Sequence, residues 1–346
     1  MFLKQVGYTS ICIGKWHLGF LTKGSHPLDK GFNHYYGIIS NYGKHPRNQV
    51  LYQDRDTLKE DIVVEKLTEL YTDKAIDFIH KNKENSFFLY LSHTAVHTPI
   101  RPSEIFKGTS ERGPYGDYIH ELDYSTGRVI AAIKEAGIEK NTLIIFTSDN
   151  GPDRQYVKGT STGELSGGKY GTMEGGHRVP GMIRWKGKIK ENQVSDITVS
   201  SMDILPTLGA ILGIKLPDDR YYDGKNILPV LQGQSSVSPH KYLYYYNGLN
   251  LQAIRKGKWK LHLPRSIQDQ PFWCEKGDRK GFIELNEHKL YNLDTDIGEK
   301  IDLSDKHPEI IEELINEADR IRHELGDVNT IGSDQRIVPY KNPQKK

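Results

Sequence analysis

The sequence predicts an α/β fold, a parallel sheet between helix layers, with a smaller antiparallel-sheet domain after it. Two apolar runs without alternation, Phe87 to Leu91 and Leu143 to Phe146, read as strands covered on both faces, as the strands of a parallel sheet are. Each run follows a segment whose apolar residues recur every three and four positions, so strand, helix and strand make a right-handed crossover unit. Beyond about residue 240 the pattern changes to short strands separated by turns.

Taken in order, Tyr8 to Gly14 is a short β-prone run, and its carboxyl end carries Lys15 and His17. Seen alone, a Lys-x-His pair is most simply a solvated surface. Ser25 to Asp56 is loop-rich, with Pro27, Gly31, Gly37, Gly43 and Pro46 among Tyr35, Tyr36, Tyr42, Lys44, His45 and Arg47. Rings and cations on such a loop suit a polar anionic ligand such as a glycan, or nothing but water. Val63, Leu67, Leu70, Tyr71, Ala75, Phe78 and Ile79 then mark the buried face of a helix, which the polar turn Lys81 to Ser86 ends. The strand from Phe87 exits through His93 and His97. Of these His97, just before Thr-Pro, is the candidate for chemistry, and His93 for packing or capping. A second helix, Asp117 to Ala136, turns Ile119, Leu122, Val129, Ile130 and Ile133 inward and stops at Gly137.

The strand that follows delivers Asp149 and Asn150. Ligands of open α/β sheets sit beyond the carboxyl ends of the strands, and this pair occupies that edge. The two side chains offer only oxygen to a cation, which suits Ca²⁺ or Mg²⁺; the bland alternative is an Asp-Asn-Gly turn. The chain then becomes glycine-rich, with Gly159, Gly163, Gly167 and Gly168 before Lys169 and Gly171, Gly175 and Gly176 after it. Glycine lets backbone pass close to a ligand, and Lys169 can offer an ammonium to an anion. A flexible linker is the competing reading, weakened by the order implied in Glu174, Arg178 and the strand Met182 to Trp185.

Ser201 to Leu212 reads as a helix packing Ile204, Leu205, Leu208, Ile211 and Leu212, and Pro217 to Gly233 as a surface connection. Short strands follow near Tyr242 to Tyr246, Leu251 to Arg255, Lys258 to His262 and Lys289 to Leu293, with a turn at Lys256-Gly257. A last amphipathic helix, Pro308 to Leu325, packs on them, and the tail from Asn329 is polar.

Composition narrows the function classes. The 346 residues carry 47 basic and 45 acidic side chains, a net charge of +2 that gives no global attraction to nucleic acid or an anionic membrane. No window approaches 18 consecutive apolar residues, so no membrane span is expected. Cys12 and Cys274 are the only cysteines, with neither a disulfide framework nor zinc-ligand spacing. The opening Met-Phe-Leu-Lys-Gln has no signal-peptide shape and runs directly into structure, so the chain reads as one that begins within a domain.

One rim of the sheet is thus expected to hold Lys15, His17, His97, Asp149, Asn150 and Lys169. Two ammonium groups, two imidazoles and an oxygen-only cation site, with no Ser-His-Asp or Cys-His arrangement, suit the neutralising of a tetrahedral oxyanion and the handing of a proton to a leaving oxygen. That chemistry belongs to a sulfate or phosphate ester.

At this point the chain resembles the type I sulfatases, in particular the group around arylsulfatase A and N-acetylgalactosamine-6-sulfatase. The matching pieces are Gly7-Tyr-Thr9 with Gly14 to Gly19, Phe87 to Tyr90 with His97-x-Pro99, Gly113 to Asp117 with Glu121-Leu-Asp123, Phe146 to Pro152, and Gly168-Lys169 with Glu174-Gly-Gly-x-Arg178. They stand in family order over most of residues 1 to 300. The resemblance implies an alkaline-phosphatase-like α/β/α sandwich and a smaller C-terminal sheet domain, expected as residues 1–234 and 235–328 with a tail over 329–346. It implies that Asp149 and Asn150 bind Ca²⁺, with Mg²⁺ second. It also implies that Lys15 and His17 contact the sulfate and the nucleophile, that His97 approaches the leaving oxygen as general acid, and that Lys169 grips the sulfate. Export from the cytoplasm is the family habit.

Two family features are absent from this sequence. An Asp-Asp pair would complete the metal site, and a Cys-or-Ser-x-Pro-x-Arg motif would mature to formylglycine, the nucleophile. Only 14 residues precede Lys15, Cys12 lacks the downstream Pro and Arg, and no Asp precedes Asp29. The expectation is an N-terminally truncated sulfatase without turnover of its own, missing a central strand and so showing an unpaired apolar edge. The competing readings are a phosphatase or phosphomutase on the same fold, disfavoured by Asn150 where those relatives usually place His, and a remnant that binds sulfated glycan without cleaving it.

Overall fold

In the first half of the chain, a mixed sheet is built around its N-terminal strand. The computed structural model describes residues 2–19, 22–40, 50–154, 157–266, 284–328 and 330–335. In it β1 (Thr9–Gly14) is followed by β2 (His34–Gly37), β3 (Leu51–Gln53), β4 (Asp56–Lys59), α1 (Leu67–Asn82) and β5 (Phe87–Ser92). The strands lie in the order β4-β3-β2-β1-β5. β1 runs parallel to β2 and β5, while β3 and β4 return antiparallel at the far side. With a parallel neighbour on each side, β1 is buried from Ser10 to Gly14. β5 is the last strand in this order, and all six of its residues keep some exposure.

The predicted periodicity is realised in α1. Its face of Leu67, Tyr71, Ala75 and Phe78 packs on Ile11, Ile13, Tyr36, Ile38 and Leu51. Next, α2 (Gly113–Glu135) lays Ala132 and Ile133 against Ile79 and ends with Gly137 in the left-handed region. The opposite face of β1 is covered by loop and 3₁₀ residues, where Cys12, Trp16 and Tyr35 meet Leu28 and Phe32. Burial raises the Cys12 thiol to about 12, so it is inert. Cys274 lies outside the described residues.

Several expectations are corrected here. Tyr35 and Tyr36 are not loop aromatics awaiting a glycan: both are buried in β2, Tyr35 above Cys12 and Tyr36 edge-on to Tyr71. Two β-prone aromatics with tertiary partners outweigh the surrounding Gly and Pro. Tyr42, Gly43, Lys44, His45, Pro46 and Arg47 lie outside the described residues. On α2, Ile119 is exposed, and the inward positions include the polar Asp117, Glu121 and Ser125. The second apolar run, β6 (Ile144–Thr147), alternates between half-buried and exposed because it sits in a separate two-stranded sheet with a later strand, β7. Between these two strands comes α3 (Glu174–His177), and β7 spans Gly181–Arg184.

The remainder holds α4 (Ile204–Leu212), α5 (Leu228–Leu231), β8 (Leu243–Asn247), β9 (Asn250–Lys256), β10 (Trp259–His262), β11 (Lys289–Asn292) and α6 (Pro308–Leu325). In α4 the buried residues are Thr207 and Gly209 and Leu205 is exposed, so the expected apolar face is only partly used. β8 to β11 form the predicted antiparallel sheet in the order β11-β10-β9-β8, with the β9–β10 turn at Gly257. On it α6 buries Leu314, Ala318 and Ile321 against Leu251, Ile254, Leu261 and Leu290. Among the described residues no helix is long and apolar enough to cross a membrane.

By contacts the chain falls into two compact units. One comprises Met1–Ile145, Tyr156–Thr160 and Ile183–Gln193; the other comprises Phe146–Gln155, Ser161–Met182 and Val194–Lys346.

Candidate active site

In the first unit the crossing of three strand ends places Lys15 and His17. Gly14 has φ +112°, and a Cβ there would run into the Ser92 carbonyl oxygen; one at Gly37 would run into that of Gly14. This close approach lets the Lys15 N–H donate to Ser92 O at 2.8 Å while Ser92 Oγ donates to Lys15 O at 2.8 Å. Trp16 turns inward, its indole N–H donating to Ser25 O at 2.9 Å, and the His17 N–H donates to Ile39 O at 3.0 Å. With Trp16 anchored, Lys15 emerges half-buried and His17 exposed at the carboxyl end of β1.

From the end of β5 the chain turns through Thr94, whose carbonyl accepts from the His97 N–H at 3.0 Å. The His97 ring is half-buried, with Nδ1 at 2.8 Å from Thr98 O. A carbonyl can only accept, so Nδ1 carries the hydrogen and Nε2 is the nitrogen whose proton can be exchanged. His93 has the packing role expected of it. It lies against Tyr71, its Nε2 is 3.2 Å from Ser125 Oγ, and burial lowers it to about 4, so it is neutral at pH 7.

Two acids fix the segment beyond His97, and their structural role was not apparent from their types alone. Buried Asp117 on α2 accepts from the N–H groups of Gly108 and Ser110 at 2.9 and 2.8 Å, and buried Glu121 accepts from Ser103 N–H at 2.8 Å. Amide donors hold Asp117 below the usual carboxylate range, and burial pushes Glu121 above it.

In the second unit the glycine-rich loop is bonded directly to the loop carrying Asp149 and Asn150. Lys169 N–H donates to Pro152 O at 3.0 Å, Gly151 N–H to Gly176 O at 2.9 Å, and Gly175 N–H to Ser166 O at 2.8 Å. A Cβ on Gly151 would strike the Gly175 carbonyl oxygen, so this contact requires glycine. The stretch is therefore ordered backbone and no linker. Lys169 Nζ stands 5.3 Å from the centre of the Tyr170 ring. Asp149 is exposed, and its carboxylate meets no partner among the described residues. Asn150 Nδ2 donates to Gly151 O at 3.1 Å, which leaves Oδ1 as its donor atom toward a cation.

These two oxygen-bearing side chains fit a hard cation in kind and supply part of the six to eight oxygens that Ca²⁺ takes. No group of three or more His, Cys, Asp or Glu gathers as a metal site among the described residues. Each unit thus assembles its own share of the predicted set: Lys15, His17 and His97 in one, and Asp149, Asn150 and Lys169 in the other.

Comparison with known proteins decides the family. Residues 1–214 match the sulfatase family profile, and residues 238–344 match that of the C-terminal region of aryl-sulfatase. The chain belongs to the sulfatase family. It is 38% identical over 279 residues to an arylsulfatase of Hemicentrotus pulcherrimus, covering 75% of this chain and 50% of that protein. To the N-acetylgalactosamine-6-sulfatase of Mus musculus it is 38% identical over 280 residues, covering 75% and 53%. It superposes with a TM-score of 0.81 and 27% identity on a sulfatase structure from work on the metabolism of multiple glycosaminoglycans by Bacteroides thetaiotaomicron, covering 93% of this chain and 81% of that one. The sulfatase chain therefore has the alkaline-phosphatase-like α/β class expected of it, and it spans about half the length of the curated relatives it matches.

Proposed function

We propose that this sulfatase-family chain binds a sulfate monoester, of a sulfated carbohydrate in the first instance, and supplies most of the groups that a sulfuric ester hydrolase uses on it. The observation that carries the reading is the chemistry held at the loops: two ammonium groups, two imidazoles and two hard oxygen donors, with Lys15, His17, His97 and Lys169 fixed by their backbone N–H bonds and Asn150 by its side-chain bond to Gly151 O. The names of the galactosamine-sulfatase relatives and the glycosaminoglycan setting of the structural neighbour support a carbohydrate ester.

In this reading Lys15 and Lys169 hold sulfate oxygens as point charges, and His17 contacts the sulfate beside them. His97, its Nδ1 anchored on Thr98 O, donates from Nε2 to the leaving oxygen when doubly protonated, as a general acid. Asp149 and Asn150 would hold Ca²⁺ in preference to Mg²⁺, as two among its ligands. When bound, the cation would draw charge from the sulfate oxygens. Formylglycine is the nucleophile of the family, and the motif that yields it does not occur in these 346 residues. Ester binding without turnover is therefore the activity proposed for this chain by itself.

The test is calorimetric titration with 4-nitrophenyl sulfate and 4-nitrophenyl phosphate in the presence of Ca²⁺, alongside an assay of nitrophenol release. Saturable binding that prefers the sulfate, with no release, is expected. Preference for the phosphate, or no saturable binding of either ester, would overturn the reading, and release from the sulfate would overturn the claim of no turnover.

A further inference from the structure

The second unit buries an ionic cluster beneath the glycine-rich loop. Lys260 on β10 is fully buried, and its ammonium lies 2.9 Å from Glu174 Oε1 and 3.0 Å from Glu299 Oε1. His262 Nε2 is 2.7 Å from the same Glu299 oxygen, Arg255 Nη1 lies 3.4 Å from Glu174 Oε2, and Tyr245 OH donates to Glu174 Oε1 at 3.3 Å. The other Glu299 oxygen accepts the Glu174 backbone N–H at 2.6 Å. The two carboxylates thus face the Lys260 ammonium and the Arg255 guanidinium.

Such a cluster is a poor way to gain stability. Buried ion pairs lose in desolvation about what they gain in attraction, and apolar packing of equal volume serves as well; what directional charged bonds add is a single permitted arrangement. Here that arrangement leads to the candidate site by an unbroken path. Glu174 opens α3, whose Gly176 carbonyl takes the N–H of Gly151 beside Asn150, while Gly175 N–H ties α3 to Ser166 in the loop that carries Lys169. On the other side, β9 and β10 hold the cluster over the core formed with α6.

We infer that Lys260, Glu174 and Glu299 are positioning residues: their buried bonds set the α3 turn and thereby the placement of Asp149, Asn150 and Lys169. The inference rests on the proposed function for what those three residues bind, but not for their placement. Removing the ammonium frees two buried carboxylates and with them the α3 turn, while the β-sheet core under α6 keeps its apolar contacts.

The experiment is hydrogen–deuterium exchange on the 346-residue chain, wild type against Lys260→Met, with Glu299→Gln as the milder change should Lys260→Met fail to fold. Exchange in peptides covering 148–154 and 166–177 is expected to rise at least tenfold, with little change in α6 (Pro308–Leu325), which serves as the internal reference. In the same variants affinity for 4-nitrophenyl sulfate is expected to fall about 10- to 100-fold, the usual cost of losing a group that orients a binding residue. Exchange unchanged in the two loop peptides, or raised equally in α6, would overturn the inference, since the cluster would then serve stability alone. A wild-type chain that binds no ester would defeat the proposed function, and the exchange arm would still decide the positioning claim.

Discussion

The two sheets position site groups by different physical means. In the first unit, Lys15 and His17 stand at the end of β1, over a core of Ile11, Ile13, Leu67, Tyr71 and Phe78 that contains no ion pair, and close backbone packing at Gly14, Gly37 and Ser92 sets their place. In the second, the loop bearing Lys169 rests on the Lys260, Glu174, Glu299 and His262 cluster, which is as buried as that core yet charged. Apolar packing tolerates small rearrangements, whereas a buried charge demands its partner. The contrast implies that the groups of the first unit should be the more sensitive to cavity formation, and those of the second to the loss of a buried charge.

The largest effect expected is at the charged cluster. Lys260→Met leaves two buried carboxylates without their shared cation and should cost up to about 4 kcal/mol of the local stability of the α3 turn, read as faster exchange in 166–177 while α6 holds. A loss under about 1 kcal/mol would mean that water reaches the cluster and would erase the contrast. In the first unit, Leu67→Ala opens a cavity against β1 and should cost about 3 kcal/mol, by the same amount at pH 7 and pH 5.

A smaller effect sharpens the comparison through pH. Burial lowers His262 to about 4, so between its ordinary value and about 4 the unfolded chain takes up a proton that the folded chain refuses. Burial pushes Glu299 up, but the hydrogen bond from His262 and the charge of Lys260 outweigh it and hold the carboxyl at about 2, so the unfolded chain again protonates first as pH falls below the ordinary carboxylate range. Both signs agree: stability is full at neutral pH and declines on acidification. Unfolding free energies from urea at pH 7 and pH 5 should differ by about 1–2 kcal/mol for the second unit and by a similar amount for the first, where burial holds His93 at about 4, with Glu299 adding to the second below pH 5. Smallest of all, Arg128→Ala removes a surface pair with Asp73 and should change stability by about 0.5 kcal/mol or less, vanishing in high salt.

Much of this was legible in the residues. The antiparallel sheet, its Gly257 turn and α6 were visible because alternation, turn chemistry and helical spacing agree there. Lys15, His97, Asp149 and Lys169 stood out because polar groups follow apolar strands or sit among glycines. The buried cluster did not, since Lys260 and His262 sit on a strand that alternates as any half-exposed strand does, and their partners Glu174 and Glu299 lie 86 and 39 residues from Lys260. Tyr35 and Tyr36 were misread for a related reason: only tertiary packing on Cys12 and Tyr71 separates a core tyrosine from a sugar-stacking one.

The proposed binding of a sulfate ester is tested most directly by the affinity for 4-nitrophenyl sulfate of Lys15→Ala and of Lys169→Ala, each read against the wild-type chain. The account predicts that either change weakens binding about tenfold or more, about 1.4 kcal/mol. Unchanged affinity in either variant would contradict the role given to that ammonium.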